Sequence, residues 1–145
     1  MEKVIKMLPK SPEQLWQKIK IEANTILEKE LHLNDFLQAN ILNHDSFASS
    51  LAHMISMKLT SKHVNYDVLE SITESAYSKN NRLVYSAFED ILAIFERDAA
   101  CTRFINPLLY FKGFQALQCH RIANFYLKEG GVDLAYYMQM MTSEV

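Results

Sequence analysis

Along most of this chain, apolar residues recur three and four positions apart, and nowhere do they alternate as a half-buried strand would require. Leu15, Ile19, Ala23, Ile26 and Leu27 fall on one face of a helix, with Trp16 beside them. Ser11, Pro12 and Gln14 mark its start, as a cap, a first-turn proline and the third member of a capping box. The pattern fades near Lys29. A second helix is predicted over 34–43, with Phe36, Leu37, Ile41 and Leu42 inward. A third, capped by Asp45 or Ser46, carries the stripe Phe47, Leu51, Met54, Ile55 and Leu59. A fourth spans 66–78 behind Asn65, and "SKNN" interrupts it. A fifth spans 82–96, with Leu83, Ala87, Ile91, Ile94 and Phe95 inward. "RDAACTRFI" has no period and reads as a bend. One long helix then opens at Asn106-Pro107 and ends at Gly130-Gly131, where glycine supplies the left-handed conformation a helix C-terminus favours. A last helix runs from Val132 to the end of the chain. The expectation is an all-α, multi-helix domain over residues 11–145, with residues 1–10 as a flexible arm.

The long helix over 106–128 is the least ordinary element. Its polar residues Lys112, Gln115, Gln118, Arg121 and Asn124 come every third position. On a 3.6-residue period such a row drifts around the cylinder, so the helix shows no single wet face. Two readings follow: a central core helix, or a helix packed by its own domain on one side and by another subunit on the other. Gly113 fits either, since it lets a second backbone approach.

Composition narrows the function. The 145 residues are 49% hydrophobic and 22% charged, with a net charge of −2 and no dense run of Lys or Arg. A nucleic-acid protein would show a basic patch or stripe, so no nucleic-acid partner is expected. No apolar run reaches the ~18–20 residues of a membrane span. The two cysteines, Cys101 and Cys119, have no C-x-x-C spacing and suit a reduced, cytoplasmic chain. His32, His44, His53, His63 and His120 form no zinc motif, and no glycine-rich phosphate loop is present. No metal or cofactor site is therefore expected. His120 beside Arg121 has the composition of a base next to an anion clamp, although a histidine in an apolar helix is more often structural. Nothing near Cys119 in sequence would lower its pKa. Asp98 stands out more. It follows the fifth helix, where a carboxylate meets the negative end of the dipole. It is either a solvated turn residue, offset by Arg97, or a carboxylate held at a rim to meet a cationic group.

Three stretches carry a family resemblance: "LWQKIKIEA", "ILNHDSFASSLAHMISMKL" and "ERDAACTRFINPLLYFKGFQALQCHRIANFYLKEGGVDLAYYMQMMTSEV". Within the third, "PLLYFKGF" and "ALQCHRIA" are the most specific runs. Together they resemble the N-terminal helical domain of serine acetyltransferases, from about Leu15 to Val145. The resemblance implies the N-terminal part of a hexapeptide-repeat acyltransferase whose left-handed β-helix is absent from this chain. The full-length enzyme moves an acetyl group from acetyl-CoA to the hydroxyl of L-serine. The product, O-acetylserine, is the precursor of cysteine, and cysteine inhibits by occupying the serine site.

The resemblance also implies partners and residues. The helical domains join trimers into a hexamer, a dimer of trimers. O-acetylserine sulfhydrylase docks on a C-terminal tail that has no counterpart here. The catalytic residues and the acetyl-CoA groove lie in the β-helix, so this chain holds no catalytic and no cofactor-binding residue and is expected to be inactive alone. Only Asp98 matches a functional position, the serine- and cysteine-binding aspartate. The family's Arg-Asp-Pro-Ala reads Arg97-Asp98-Ala99-Ala100 here. The rival readings are a stand-alone helical interaction module without enzyme activity, and an unrelated helical enzyme using His120 and Asp98.

Overall fold

The computed structural model describes residues 8–143, and every regular element among them is a helix. α1 is Pro12–Lys29. Ser11 is extended and its Oγ accepts from the Gln14 N–H at 3.1 Å, while Gln14 Oε1 accepts from the Lys10 N–H at 2.9 Å. The capping box therefore closes one residue further out than the usual pattern. Of the arm expected over residues 1–10, residues 1–7 lie outside those described; Leu8 packs against the core and Pro9 is buried.

The helix expected over 34–43 is present, but its pitch changes from α to π along its length, and a 3₁₀ turn precedes it. A 3₁₀ turn, Leu31–Leu33, leads into α2, Asn34–Leu37, and then a π turn, Gln38–Leu42. The wider π turn lets Leu37 and Ile41 both enter the core. It leaves Phe36 partly exposed, stacked on Tyr110 rather than pointing inward.

α3, Phe47–Leu59, lies at the centre. Ser46, not Asp45, caps it, with Oγ accepting from the Ser49 N–H at 3.1 Å. Its Leu51, Ala52, Ile55 and Leu59 are fully buried. α4, Tyr66–Lys79, packs along it and is capped by Asn65. α5 is Arg82–Arg97, with Val84, Ala87, Phe88 and Ile91 inward.

The long helix read over 106–128 is broken. α6, Ile105–Tyr110, and α7, Lys112–Lys128, meet at Phe111, which is extended at φ −95 and ψ 104. The break strands carbonyls at the end of α6, and Gln115 satisfies two of them. Its Nε2 donates to Leu108 O at 2.9 Å and Leu109 O at 3.2 Å. A side chain that can repay the lost backbone bonds makes the corner tolerable. α7 ends as the glycines require. Gly130 has φ 92, Gly131 N–H reaches Tyr126 O at 2.7 Å, and Gly130 N–H reaches Leu127 O at 3.3 Å. This pair of bonds is a Schellman motif, and it folds α8, Val132–Ser143, back along α7.

α7 does have one wet face: Gly113, Leu117, His120, Asn124 and Leu127 are exposed. The middle of the polar row turns inward, while Lys112 and Asn124 at its ends are exposed. Gln118 is buried and Gln115 and Arg121 are half-buried, with partners inside the domain. Among the described residues, nothing lies within 4 Å of where a Cβ on Gly113 would stand, so no other helix of the described chain approaches closely there.

Candidate functional site

An open groove of about 730 Å³ runs between the C-terminal half of α5 and the start of α7. α5 supplies Asp90, Ala93, Ile94 and Arg97, and the corner and α7 supply Phe111, Phe114 and Leu117. Asp98 and Ala99 close one end. The wall is apolar, and carboxylates and one guanidinium stand along its α5 side.

Asp98 is the residue at which α5 stops. Its backbone is extended, its N–H reaches back to Ile94 O at 2.9 Å, and the side chain is at the surface. Asp98 Oδ1 accepts from the Ala100 N–H at 2.9 Å, and Asp98 O accepts from the Cys101 N–H at 2.9 Å. This Asx turn fixes one carboxylate oxygen locally, as aspartate commonly does. It does so without the proline that follows this aspartate in the family pattern. The chain then dives inward: Cys101 is fully buried and its Sγ meets Arg103 O at 3.3 Å. At the far end of the loop, the carboxylate of Glu22 on α1 accepts from the N–H groups of Phe104 at 3.1 Å and Ile105 at 2.8 Å. No sequence signal marks a partner 82 and 83 positions away. Burial holds the Glu22 carboxyl above its ordinary range, against the lowering effect of those two N–H groups, Arg103 and Lys18.

The groove's α5 wall is tied to α7 by Asp90. Its carboxylate accepts from Gln118 Nε2 at 2.8 Å and from Arg121 at 3.1 and 3.2 Å. Gln118 Oε1 and Arg121 Nε are buried with no hydrogen-bond partner among the described residues.

The remaining candidates lie elsewhere. His120 is exposed on α7 and does not line the groove that Asp98 closes. Cys119 is in the core, and burial pushes its thiol up to about 11, unsuited to a nucleophile. His44 and His53 join the π turn to α3 and α4. His44 Nε2 donates to Ala39 O and its Nδ1 accepts from Ser49 Oγ. Tyr66 donates to Glu70 at 2.7 Å, so its oxygen is left to accept from His53 Nδ1 at 2.7 Å. Among the described residues, no three His, Cys, Asp or Glu side chains converge as metal ligands, and no helix is long and apolar enough to cross a membrane.

The described residues form an all-helical domain with a carboxylate fixed at the rim of an open groove. Comparison with known proteins gives the family. A profile of the serine acetyltransferase N-terminal domain matches residues 15–119. The serine acetyltransferase of Escherichia coli is 36% identical over 131 residues, 90% of this chain and 48% of that protein. The Neisseria gonorrhoeae serine acetyltransferase, solved in complex with serine, superposes with a TM-score of 0.88 at 38% identity, covering 90% of this chain and 54% of that one. A serine acetyltransferase solved in complex with CoA gives a TM-score of 0.86 at 34% identity, covering 89% and 55%. The chain belongs to the serine acetyltransferase family, and it spans about half the length of the curated relatives it matches.

Proposed function

We propose that this chain is the helical domain of a serine O-acetyltransferase, running over residues 11–145. In the full-length cytoplasmic enzyme, acetyl-CoA and L-serine would give O-acetylserine and CoA, a step toward cysteine. The helical half would join subunits and offer Asp98 to the substrate amino group. The observation that carries this reading is Asp98 itself, an exposed carboxylate oriented by the Ala100 N–H at the end of a groove. A carboxylate is complementary to the ammonium group that serine carries. A charge-assisted hydrogen bond between them is worth roughly 1.5–3 kcal/mol. On this reading the helical half supplies no base and no CoA groove, and the purified 145-residue chain leaves acetyl-CoA and serine unreacted.

The test is a chimera in which this chain replaces the matching half of the Escherichia coli enzyme. Asp98→Asn should raise the serine KM and weaken cysteine inhibition together, by roughly ten- to hundred-fold. The Michaelis constant for acetyl-CoA should stay put. Unchanged serine and cysteine affinities would reduce Asp98 to a turn residue.

A further inference from the structure

We infer that Glu22 is a positioning residue for the Asp98 loop: its carboxylate on α1 fastens the far end of that loop by accepting the Phe104 and Ile105 N–H groups. The geometry is specific. Seven residues separate Ile94, whose carbonyl accepts from the Asp98 N–H, from the exposed Thr102 in the loop. Asp98 secures the near end through Ala100 and Cys101. Two N–H groups at the far end face inward, at the start of a six-residue helix with no side-chain cap of its own. Both find their acceptor on Glu22, in a different part of the chain. Arg103 also turns back, donating through Nε to Asn106 Oδ1 at 3.0 Å. Each end of the loop is thus closed by a carboxylate, one local and one from α1.

A carboxylate suits this task because two oxygens can take two adjacent N–H groups, which no amide or hydroxyl can do equally well. The charged groups facing it are Arg103 from the loop and Lys18 from α1. Neither outweighs burial, so the proton on Glu22 leaves later than on an ordinary glutamate, and that delay gives a signal to follow. The tether would also serve the reaction: loosening Phe104 and Ile105 lets the loop, and Asp98 with it, sample other positions. That last link rests on the reading of Asp98 given above; the tether itself does not.

The experiment uses the 145-residue chain, followed by amide NMR and hydrogen exchange. In wild type, the Phe104 and Ile105 amide signals should titrate together, with a midpoint above the ordinary glutamate value, and Glu22→Gln should abolish that titration. Glu22→Ala should speed exchange at Ala100, Cys101, Phe104 and Ile105 by about tenfold or more, with Glu22→Gln between the two and core amides such as Leu51 and Ile122 unchanged. Unchanged loop exchange, or loop and core accelerating together, would overturn the tether. If Glu22→Ala does not fold, Glu22→Gln carries the same comparison. In the chimera, Glu22→Ala should raise serine KM with kcat held. If Asp98→Asn moves KM and Glu22→Ala does not, the positioning role fails. If neither moves it, the Asp98 reading fails while the amide result stands.

Discussion

At the scale of single residues, the decisive polar contacts pair side chains far apart in sequence. Asp98 stood out in the sequence because it ends a periodic segment and matches a family position. Its groove neighbour Asp90 gave no such sign, because its partners Gln118 and Arg121 lie 28 and 31 positions on. Those partners were visible only as part of a drifting polar row. Their role was illegible because periodicity says which face a residue is on, not what stands opposite. The pair is partly exposed, with 32% of the Arg121 side chain and 21% of the Asp90 side chain accessible, so solvent weakens it. Arg121→Met should still cost about 1–2 kcal/mol, since it leaves a half-buried carboxylate with Gln118 alone. A denaturation midpoint reads this directly, and Asp90→Leu added to Arg121→Met should recover part of the loss if the pair is coupled. Additive losses would show that the two side chains act separately.

At the scale of elements, caps and stops were the most legible features. Ser11, Ser46 and Asn65 each accept the N–H three residues on, because a short polar side chain before an apolar periodic run has few better uses. The glycine stop after α7 has the same clarity. Gly130→Ala forces a Cβ into a left-handed residue, at φ 92, and should cost about 1–2 kcal/mol in thermal or denaturant unfolding. The same change at Gly113 meets nothing within 4 Å and should be neutral or slightly favourable in stability. A loss at Gly113 as large as at Gly130 would refute the argument from backbone conformation. The corner at Phe111 and the π turn over Gln38–Leu42 were not legible. Both interrupt sequences whose apolar spacing suits a continuous helix, and both are held by contacts made elsewhere, such as Gln115 on the α6 carbonyls.

At the scale of the whole molecule, the outer surface bears on assembly. Val132, Tyr136 and Met140 sit four residues apart on α8 and are 41%, 58% and 54% exposed. α7 adds Leu117 and Leu127 to its exposed face. An apolar stripe at helical spacing on an outer helix is a common mark of an interface. The chain is therefore expected to self-associate, and Tyr136→Lys to shift the equilibrium toward the monomer. Light scattering checks this: a particle of 16.8 kDa at high concentration for wild type would count against it.

The sequence by itself determined the all-helical class, the places where most helices start and stop, and the family. These depend on local rules: a 3.6-residue period, a capping hydroxyl, a glycine that tolerates positive φ. Tertiary structure decided three things. It broke 106–128 into two helices at Phe111, turned Gln118 and Arg121 of α7 inward onto Asp90, and brought Glu22 of α1 to the loop that carries Asp98. In each case a buried backbone or charged group needed a partner: Gln115 of the following helix serves the corner, and packing supplied the other partners from distant parts of the chain. Hydrogen-bond satisfaction in a closed interior is a global requirement, so spacing along the chain does not encode it.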